Sequence, residues 1–266
     1  MLKKIRIGIL ISGSGTNMDA IISACEKGII NGEVVFAGSD NPEAKGLDKA
    51  RNKGIPTFVV NYSEIIREFR ESPDDFLFPA DFDLEDIRIK QSLISHMEQT
   101  DKVIRFIETR TIAESRLLGH MKPYPFDLLV LAGFMRNLTP YFIDRVNVTP
   151  GHPRIMNIHP ALLPAFPGTD GYGETFRYGC KVGGCTVHFI DYGEDSGPII
   201  GQKSFAITET DTLDTIRQKG LALEYQLFPE CIQLFAEDRL ATVTMTYTDE
   251  RGNLRQRSIV KIAQIH

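Results

Sequence analysis

The sequence predicts an α/β protein built on a doubly wound, mostly parallel sheet with a C-terminal β-hairpin. Three observations lead there. Apolar runs alternate with segments of helical period through the first 60 residues, the mark of βαβ units and a parallel sheet. The same alternation resumes at Phe126. The tail carries two alternating runs around the polar "DERGN", which reads as a terminal hairpin. With 266 residues, 42% of them hydrophobic, the chain can bury a substantial core. We expect a single domain over 1–266, with an acidic insert at about 71–108 and the hairpin at about 241–263.

The elements follow in order. Ile5 to Ile11, apolar beyond Arg6, reads as a buried parallel strand. "SGSGTN" (Ser12 to Asn17) turns into a helix whose Met18, Ile21, Ile22 and Cys25 share a face, with Gly28 as its stop. "EVVFAGS" is the second strand. "NPEAKGLDKARNKG" is a helix with Pro42 near its start and Gly54 at its end, and "IPTFVV" is the third strand. Glu71 to Asp86 fits poorly: seven acidic residues stand among Phe76, Leu77, Phe78 and Phe82, punctuated by Pro73 and Pro79. We read it as a loop excursion whose phenylalanines cover a cleft or a subunit contact. A helical stretch ends near Met121, and "FDLLVLAGF" is a buried strand. "TPYFIDRV" is a short helix with Thr139 as N-cap and Pro140 at its first position. "RIMNIH" is a strand, followed by two β-rich runs, "GGCTVHFI" and "GPIIGQKSFAI". A long helical segment from Asp211 to Arg239, interrupted near Pro229, precedes the hairpin.

Composition removes several function classes. The net charge of −5 and pI of about 5.7 argue against nucleic-acid binding through a basic surface. An anionic substrate must therefore be met by a local device. Cys25, Cys180, Cys185 and Cys231 form no C-x-x-C pair, so neither a zinc site nor a redox motif is suggested, and free thiols are expected. No stretch approaches the roughly 18 apolar residues of a membrane helix, and nothing resembles a signal peptide. The chain reads as cytoplasmic.

Four stretches carry chemistry. The glycine-rich turn "SGSGTN" aims backbone N–H groups and a helix N-terminus at one point, a site apt for a phosphate. It lacks a Walker lysine, and Met18 stands where a dinucleotide fingerprint needs its third glycine. Asp40, ending the second strand, imitates a ribose-binding acid, so a dinucleotide-binding oxidoreductase or regulator is a rival reading. "NIHPALLPAFPG" (Asn157 to Gly168) is a stiff loop launched from a strand end, with Asn157 and His159 at its root. "AGFMRN" follows another strand end, and in open α/β sheets ligands bind beyond such ends. An amide can donate to an oxygen that becomes negative, and an imidazole can add charge or move a proton. One carboxylate would complete an acyl-transfer set: Asp195 in "DYGEDSGPII", with Asp191 and Glu194 as rivals. His188, inside a strand pattern, reads as packing.

"ILISGSGTNMDAII", "LVLAGFMRNLTP", "NIHPALLPAFPG" and "GCTVHFIDYGEDSGPII" occur in this order. Together they closely resemble the phosphoribosylglycinamide formyltransferases of purine synthesis, over nearly the whole chain outside the acidic insert and the hairpin. The resemblance implies a Rossmann-like formyltransferase fold. It implies transfer of formyl from 10-formyltetrahydrofolate, a co-substrate, to the amine of glycinamide ribonucleotide in de novo purine biosynthesis, with no metal. Gly13, Ser14, Gly15, Thr16 and Asn17 match the nucleotide-binding turn. Met135, Arg136, Asn137 and Leu138 match the folate-contacting segment, to which Asn157 also belongs. Arg110 falls where the family has a folate-contacting arginine. Asn157, His159 and Asp195 match the catalytic trio, the carboxylate taking the amine's proton or holding the imidazolium charged. The implied partners are small molecules, neither nucleic acid nor membrane, and the chain is expected to be a monomer or homodimer.

Two departures stand out. After "FPG" the family commonly shows histidines, whereas this chain runs "TDGYGETF" and offers Asp170 and Tyr172. The acidic insert also lengthens the path to Arg110. A formyltetrahydrofolate deformylase would use the same trio on water, but usually carries an extra N-terminal domain, for which a first strand starting at Ile5 leaves no room. A methionyl-tRNA formyltransferase is disfavoured by the phosphate turn and the lack of a basic C-terminal domain.

Overall fold

The apolar runs become strands because their side chains alternate between two covered faces. In the computed structural model, which describes residues 3–94 and 100–264, Ile7, Ile9 and Ile11 enter one hydrophobic cluster while Leu10 enters another. Leu128 and Val130 likewise oppose Leu129 and Leu131. A sheet buried on both faces in this way needs continuous apolar runs.

The elements are β1 (Ile5–Ile11), α1 (Thr16–Glu26), β2 (Gly32–Ser39), α2 (Gly46–Asn52), β3 (Thr57–Val59) and α3 (Tyr62–Glu71). After a 3-10 turn at Pro73–Asp75 come α4 (Leu84–Lys90), α5 (Thr100–Met121), β4 (Leu128–Leu131), α6 (Pro140–Val146) and β5 (Ile155–His159). The chain continues through α7 (Gly171–Arg177), β6 (Val182–Phe189), β7 (Ile199–Ala206), α8 (Leu213–Ala236), β8 (Leu240–Thr248) and β9 (Leu254–Ile262). The main sheet has the order β3-β2-β1-β4-β5-β6-β7. Its first five strands pair in parallel, whereas β6 pairs antiparallel with both β5 and β7. The doubly wound, mostly parallel sheet with a separate C-terminal hairpin is therefore present, and the order reverses between β1 and β4. Helices α1 and α8 cover one face through Met18, Ile21, Phe228 and Ile232. Helices α3, α5 and α6 cover the other through Ile65, Ile112, Leu117 and Phe142. Among the described residues no helix is long and apolar enough to cross a membrane. All four cysteines are free thiols.

Three expectations need correction. The helix after β2 starts at Gly46, not near Pro42. The Asn41 side chain accepts from Glu43 N (3.0 Å) and donates to the Ser12 carbonyl (3.1 Å), an Asx turn that outcompetes helical bonding. Helix α8 runs unbroken through Pro229, because Leu227, Phe228, Cys231 and Ile232 around it are buried against the sheet. The phenylalanines of the acidic stretch do not cover the cleft. Phe76 and Phe78 pack on the α3–α5 cluster with Phe69, and Phe82 stacks on Phe78 at 4.7 Å and packs beside Ile107 and Tyr141. Acidic residues keep this segment's outer face wet while its rings extend the core.

Candidate active site

A cleft of about 280 Å³ opens at the carboxyl ends of the strands near the switch point, where open α/β sheets bind ligands. One wall is Gly133 to Leu138, which follows β4. The floor is Asn157 to Pro160 at the end of β5, and the loop after β6 brings Asp191 and Asp195. Asn17 of α1, Tyr172 of α7 and Glu224 of α8 also line it.

Asn157, His159 and Asp195 meet here. Asp195 adopts a positive φ of 49°, a conformation Asp tolerates better than most residues. This turns its carboxylate inward, where Oδ2 accepts from Gly168 N at 2.8 Å and lies 3.1 Å from His159 Nδ1. The other His159 nitrogen, Nε2, donates to the Phe166 carbonyl at 2.8 Å. Both ring nitrogens thus face acceptors, and only the doubly protonated imidazolium donates to both. Burial pushes the Asp195 carboxyl up, but the bond and charge of His159 and the Gly168 N–H outweigh it and hold the group well below the usual carboxylate range. A carboxylate held so low is a weak base. It lies beside the His159 imidazole.

His188 belongs to this network, contrary to its reading as packing. Antiparallel pairing puts it opposite Asn157. Its Nδ1 donates to the Phe189 carbonyl at 2.9 Å, so Nε2 accepts from Asn157 Nδ2 at 3.2 Å and orients that amide. Asp195 Oδ1 lies 3.5 Å away. Of the rivals to Asp195, Asp191 accepts from Gly193 N and Ser196 Oγ within its own loop. Glu194 accepts from Asn137 Nδ2 at 3.2 Å. Both line the cleft without reaching His159.

The cleft is also lined by a carboxylate that motif spacing does not single out. Glu224 is 4% exposed. Its Oε2 accepts from Asn17 Nδ2 at 2.7 Å and its Oε1 from the Tyr172 hydroxyl at 2.6 Å. Burial raises its pKa, and the Tyr172 and Asn17 bonds and the His159 charge only partly offset that. A signal was present: Ile216, Gly220, Glu224, Leu227 and Cys231 form the buried stripe of α8, and an acid on such a stripe is out of place in an ordinary helix.

The glycine-rich turn sits at the cleft rim. Gly13 and Ser14 are exposed, and Gly15, at φ 68°, is the N-cap of α1. A side chain at Gly15 would also meet the Gly46 Cα at 2.9 Å, so the turn needs a glycine twice over. Thr16 begins the helix, and Asn17 alone of the five reaches into the cleft. Ser12 ties the turn to the opposite wall by accepting from Met135 N at 2.8 Å and donating to Asp40. Asp40 also accepts from Arg136 Nε at 2.6 Å. A carboxylate committed in this way is not a free ribose-binding acid.

Met135, Arg136, Asn137 and Leu138 all line the cleft. The segment is fixed from behind by Glu114, which accepts from Thr139 N (2.8 Å) and Oγ1 (2.5 Å). The Thr139 side chain, expected to cap α6, is spent on this bond. Arg110 is set apart from the cleft: its guanidinium lies over the Tyr62 ring (5.3 Å) and the Phe106 ring (5.1 Å) and lines a groove between α3 and α5. Arg136, 5.7 Å from the centre of the same Tyr62 ring, lines the cleft.

Sequence comparison agrees with this geometry. The pattern of the formyl transferase family matches residues 5–232. A phosphoribosylglycinamide formyltransferase of Bacillus subtilis (strain 168) is 29% identical over 228 residues, covering 86% of this chain and 93% of that one. One from Escherichia coli (strain K12) is 30% identical over 234 residues, covering 88% of each. The crystal structure of glycinamide ribonucleotide transformylase 1 from Symbiobacterium toebii is similar with a TM-score of 0.70 and 34% identity, over 98% of this chain and 95% of that one. The family match runs from β1 into α8 and includes every cleft residue named above, and the chain belongs to the formyl transferase family.

Proposed function

We propose that this protein transfers the formyl group of 10-formyltetrahydrofolate to the amine of 5-phosphoribosylglycinamide, a step of de novo purine biosynthesis. The observation that carries the reading is one cleft that brings two devices together. It is lined by the Asn157–His159–Asp195 network and by Asn17, which leads to the glycine-rich turn. The N–H groups of Gly13 to Asn17 receive the acceptor's phosphate. Met135 to Leu138 face the folate, with Arg110 behind them beyond Tyr62. When the neutral amine attacks the formyl carbon, the carbonyl oxygen becomes negative and the amine nitrogen positive. The Asn157 amide donates to the oxygen, and the His159 imidazolium, exchanging its bond to the Phe166 carbonyl for one to that oxygen, adds charge. Asp195, 3.1 Å from His159 Nδ1, sets a negative charge beside the imidazole while this happens. The carbonyl then re-forms as the bond to folate N10 breaks, the surplus proton of the attacking nitrogen passes through solvent to N10, and tetrahydrofolate leaves.

The test is turnover of 10-formyltetrahydrofolate with and without the ribonucleotide, following formate and formylated product together. Formylated product formed only with the ribonucleotide, and little formate without it, is the expected result. Formate released at one rate regardless of the ribonucleotide would make the protein a hydrolase instead.

A further inference from the structure

Gln91 to Ile94 lie within the acidic insert, the stretch outside the family resemblance, yet Leu93 lines the cleft. A local device puts it there. Gln91 follows the last residue of α4 and donates from its N–H to the Ile87 carbonyl at 3.0 Å. It is only 2% exposed, and its side chain folds forward over the residues that come next. Its Oε1 accepts from Leu93 N and Ile94 N, both at 2.9 Å, and its Nε2 donates to the Ile94 carbonyl at 3.2 Å. A buried amide that makes three such bonds holds the short turn in one shape. Ile94 packs beside Ile87, Val103, Ile107 and Tyr141, which anchors the turn to α5. Leu93, half-buried, is left to the cleft.

The same turn is fastened to the loop that carries Asp195. Ser92 donates from N (2.9 Å) and from Oγ (3.2 Å) to the Tyr192 carbonyl. The Tyr192 hydroxyl in turn donates to Asp144 of α6, and Asp144 lies 3.0 Å from Lys90 Nζ, the last residue of α4. A Cβ on Gly193 would stand 2.9 Å from Ser92 Oγ, so the glycine admits the close approach. Leu93 shares the cleft with Leu131, Phe134, Leu138 and Ile190. These come from the end of β4, the loop after it and the loop after β6. Glu194 and Asn137 bridge the two loops at 3.2 Å.

We propose that Leu93 is a specificity-determining contact for the fused ring system of the formyl-folate, supplied by the insert. This rests on the proposed function, because it needs a folate. A flat bicyclic ring is held by apolar side chains that cover its faces. A side chain already fixed by a buried turn loses little further freedom when the ring arrives. Leu93 has no group that donates, accepts or titrates, so it serves binding and not the chemical step. The ribonucleotide's phosphate and amine gain nothing from it.

The experiment measures the Kd of tetrahydrofolate, which keeps the ring but carries no formyl group, together with kcat and both KM values, in wild type, L93A and L93M. Leu93 is only half-buried, so both variants are expected to fold. L93A should weaken tetrahydrofolate and raise the formyl-folate KM by about tenfold, the scale of paring back one side chain in an apolar pocket. Its kcat and ribonucleotide KM should stay within about twofold of wild type, the pattern of lost uniform binding. L93M, which fills a similar volume, should restore most of the affinity. L93A binding tetrahydrofolate as tightly as wild type would remove Leu93 from the site. A loss that L93M does not restore, or that falls equally on the ribonucleotide KM, would make the turn a structural brace and overturn the proposal. Wild-type protein that binds no tetrahydrofolate would overturn the proposed function itself, and this inference with it.

Discussion

Asp195 and Glu224 are carboxylates lining one cleft, and their surroundings push them in opposite directions. Both are largely buried, and burial alone would raise both. Asp195 accepts from the His159 imidazole and a backbone N–H, enough to reverse the effect. Glu224 accepts from an amide and a phenol, which together with the His159 charge only reduce it. A fully compensated carboxylate holds another group's charge. An undercompensated one keeps its proton to a higher pH than an exposed carboxyl does.

The largest effects should come from the compensated carboxylate and its neighbours. Asp195→Asn leaves His159 without its charge partner, and kcat is expected to fall between about a hundredfold and ten-thousandfold with folate affinity retained. A variant within a few-fold of wild type would mean that His159 needs no partner. Asn157→Ala and His159→Ala each delete a donor at the developing oxyanion, and kcat should fall by about a hundredfold to a thousandfold. Should both lose folate affinity to the same degree, the oxyanion assignment fails and the two residues are ground-state contacts.

A third buried carboxylate sharpens the comparison because it lies outside the chemistry. Burial pushes Glu114 up to about 8, against the pull of its Thr139 bonds and of Arg110 and Arg145. The folded chain therefore holds a proton there that the unfolded chain releases above its ordinary value of 4.5. Stability contributed by that proton is complete below this value and is lost as pH rises through about 8. The wild-type melting temperature should accordingly decline over this window, and Glu114→Gln should flatten the decline, with a smaller effect on kcat than either cleft carboxylate. Parallel melting profiles would place the proton elsewhere. The smallest effect belongs to Asp191, whose bonds stay inside its own loop. Asp191→Asn should change kcat by roughly twofold at most, the scale of a surface substitution. A loss matching that of Asp195→Asn would exchange their roles.

Much of this is legible in the sequence. Strand ends, the glycine turn and the proline-stiffened loop are local signals, and they suffice to place Asn17, Met135, Asn157 and His159 at one sheet edge. What escapes depends on pairing across the chain. His188 orients Asn157 only because β6 runs antiparallel to β5 in one register, and a one-residue slip would point it away. Glu224 lies 207 residues from Asn17, and only its place on the buried stripe of α8 betrays it. Arg110 aligns with the family only through a stretch of changed length. The observed helix turns it into the Tyr62–Phe106 stack instead. The acidic segment misleads because its charges announce a loop, whereas its phenylalanines are committed to the core.

The opposite shifts of the two carboxylates are tested most directly by carbon-13 NMR titration of the side-chain carboxyl signals, assigned with D195N and E224Q. The Asp195 signal should stay at its ionised position down to the lowest pH at which the protein remains folded. Glu224 should titrate above its ordinary value of 4.5. Two carboxyls titrating together in the ordinary range, or in the reverse order, would contradict the account.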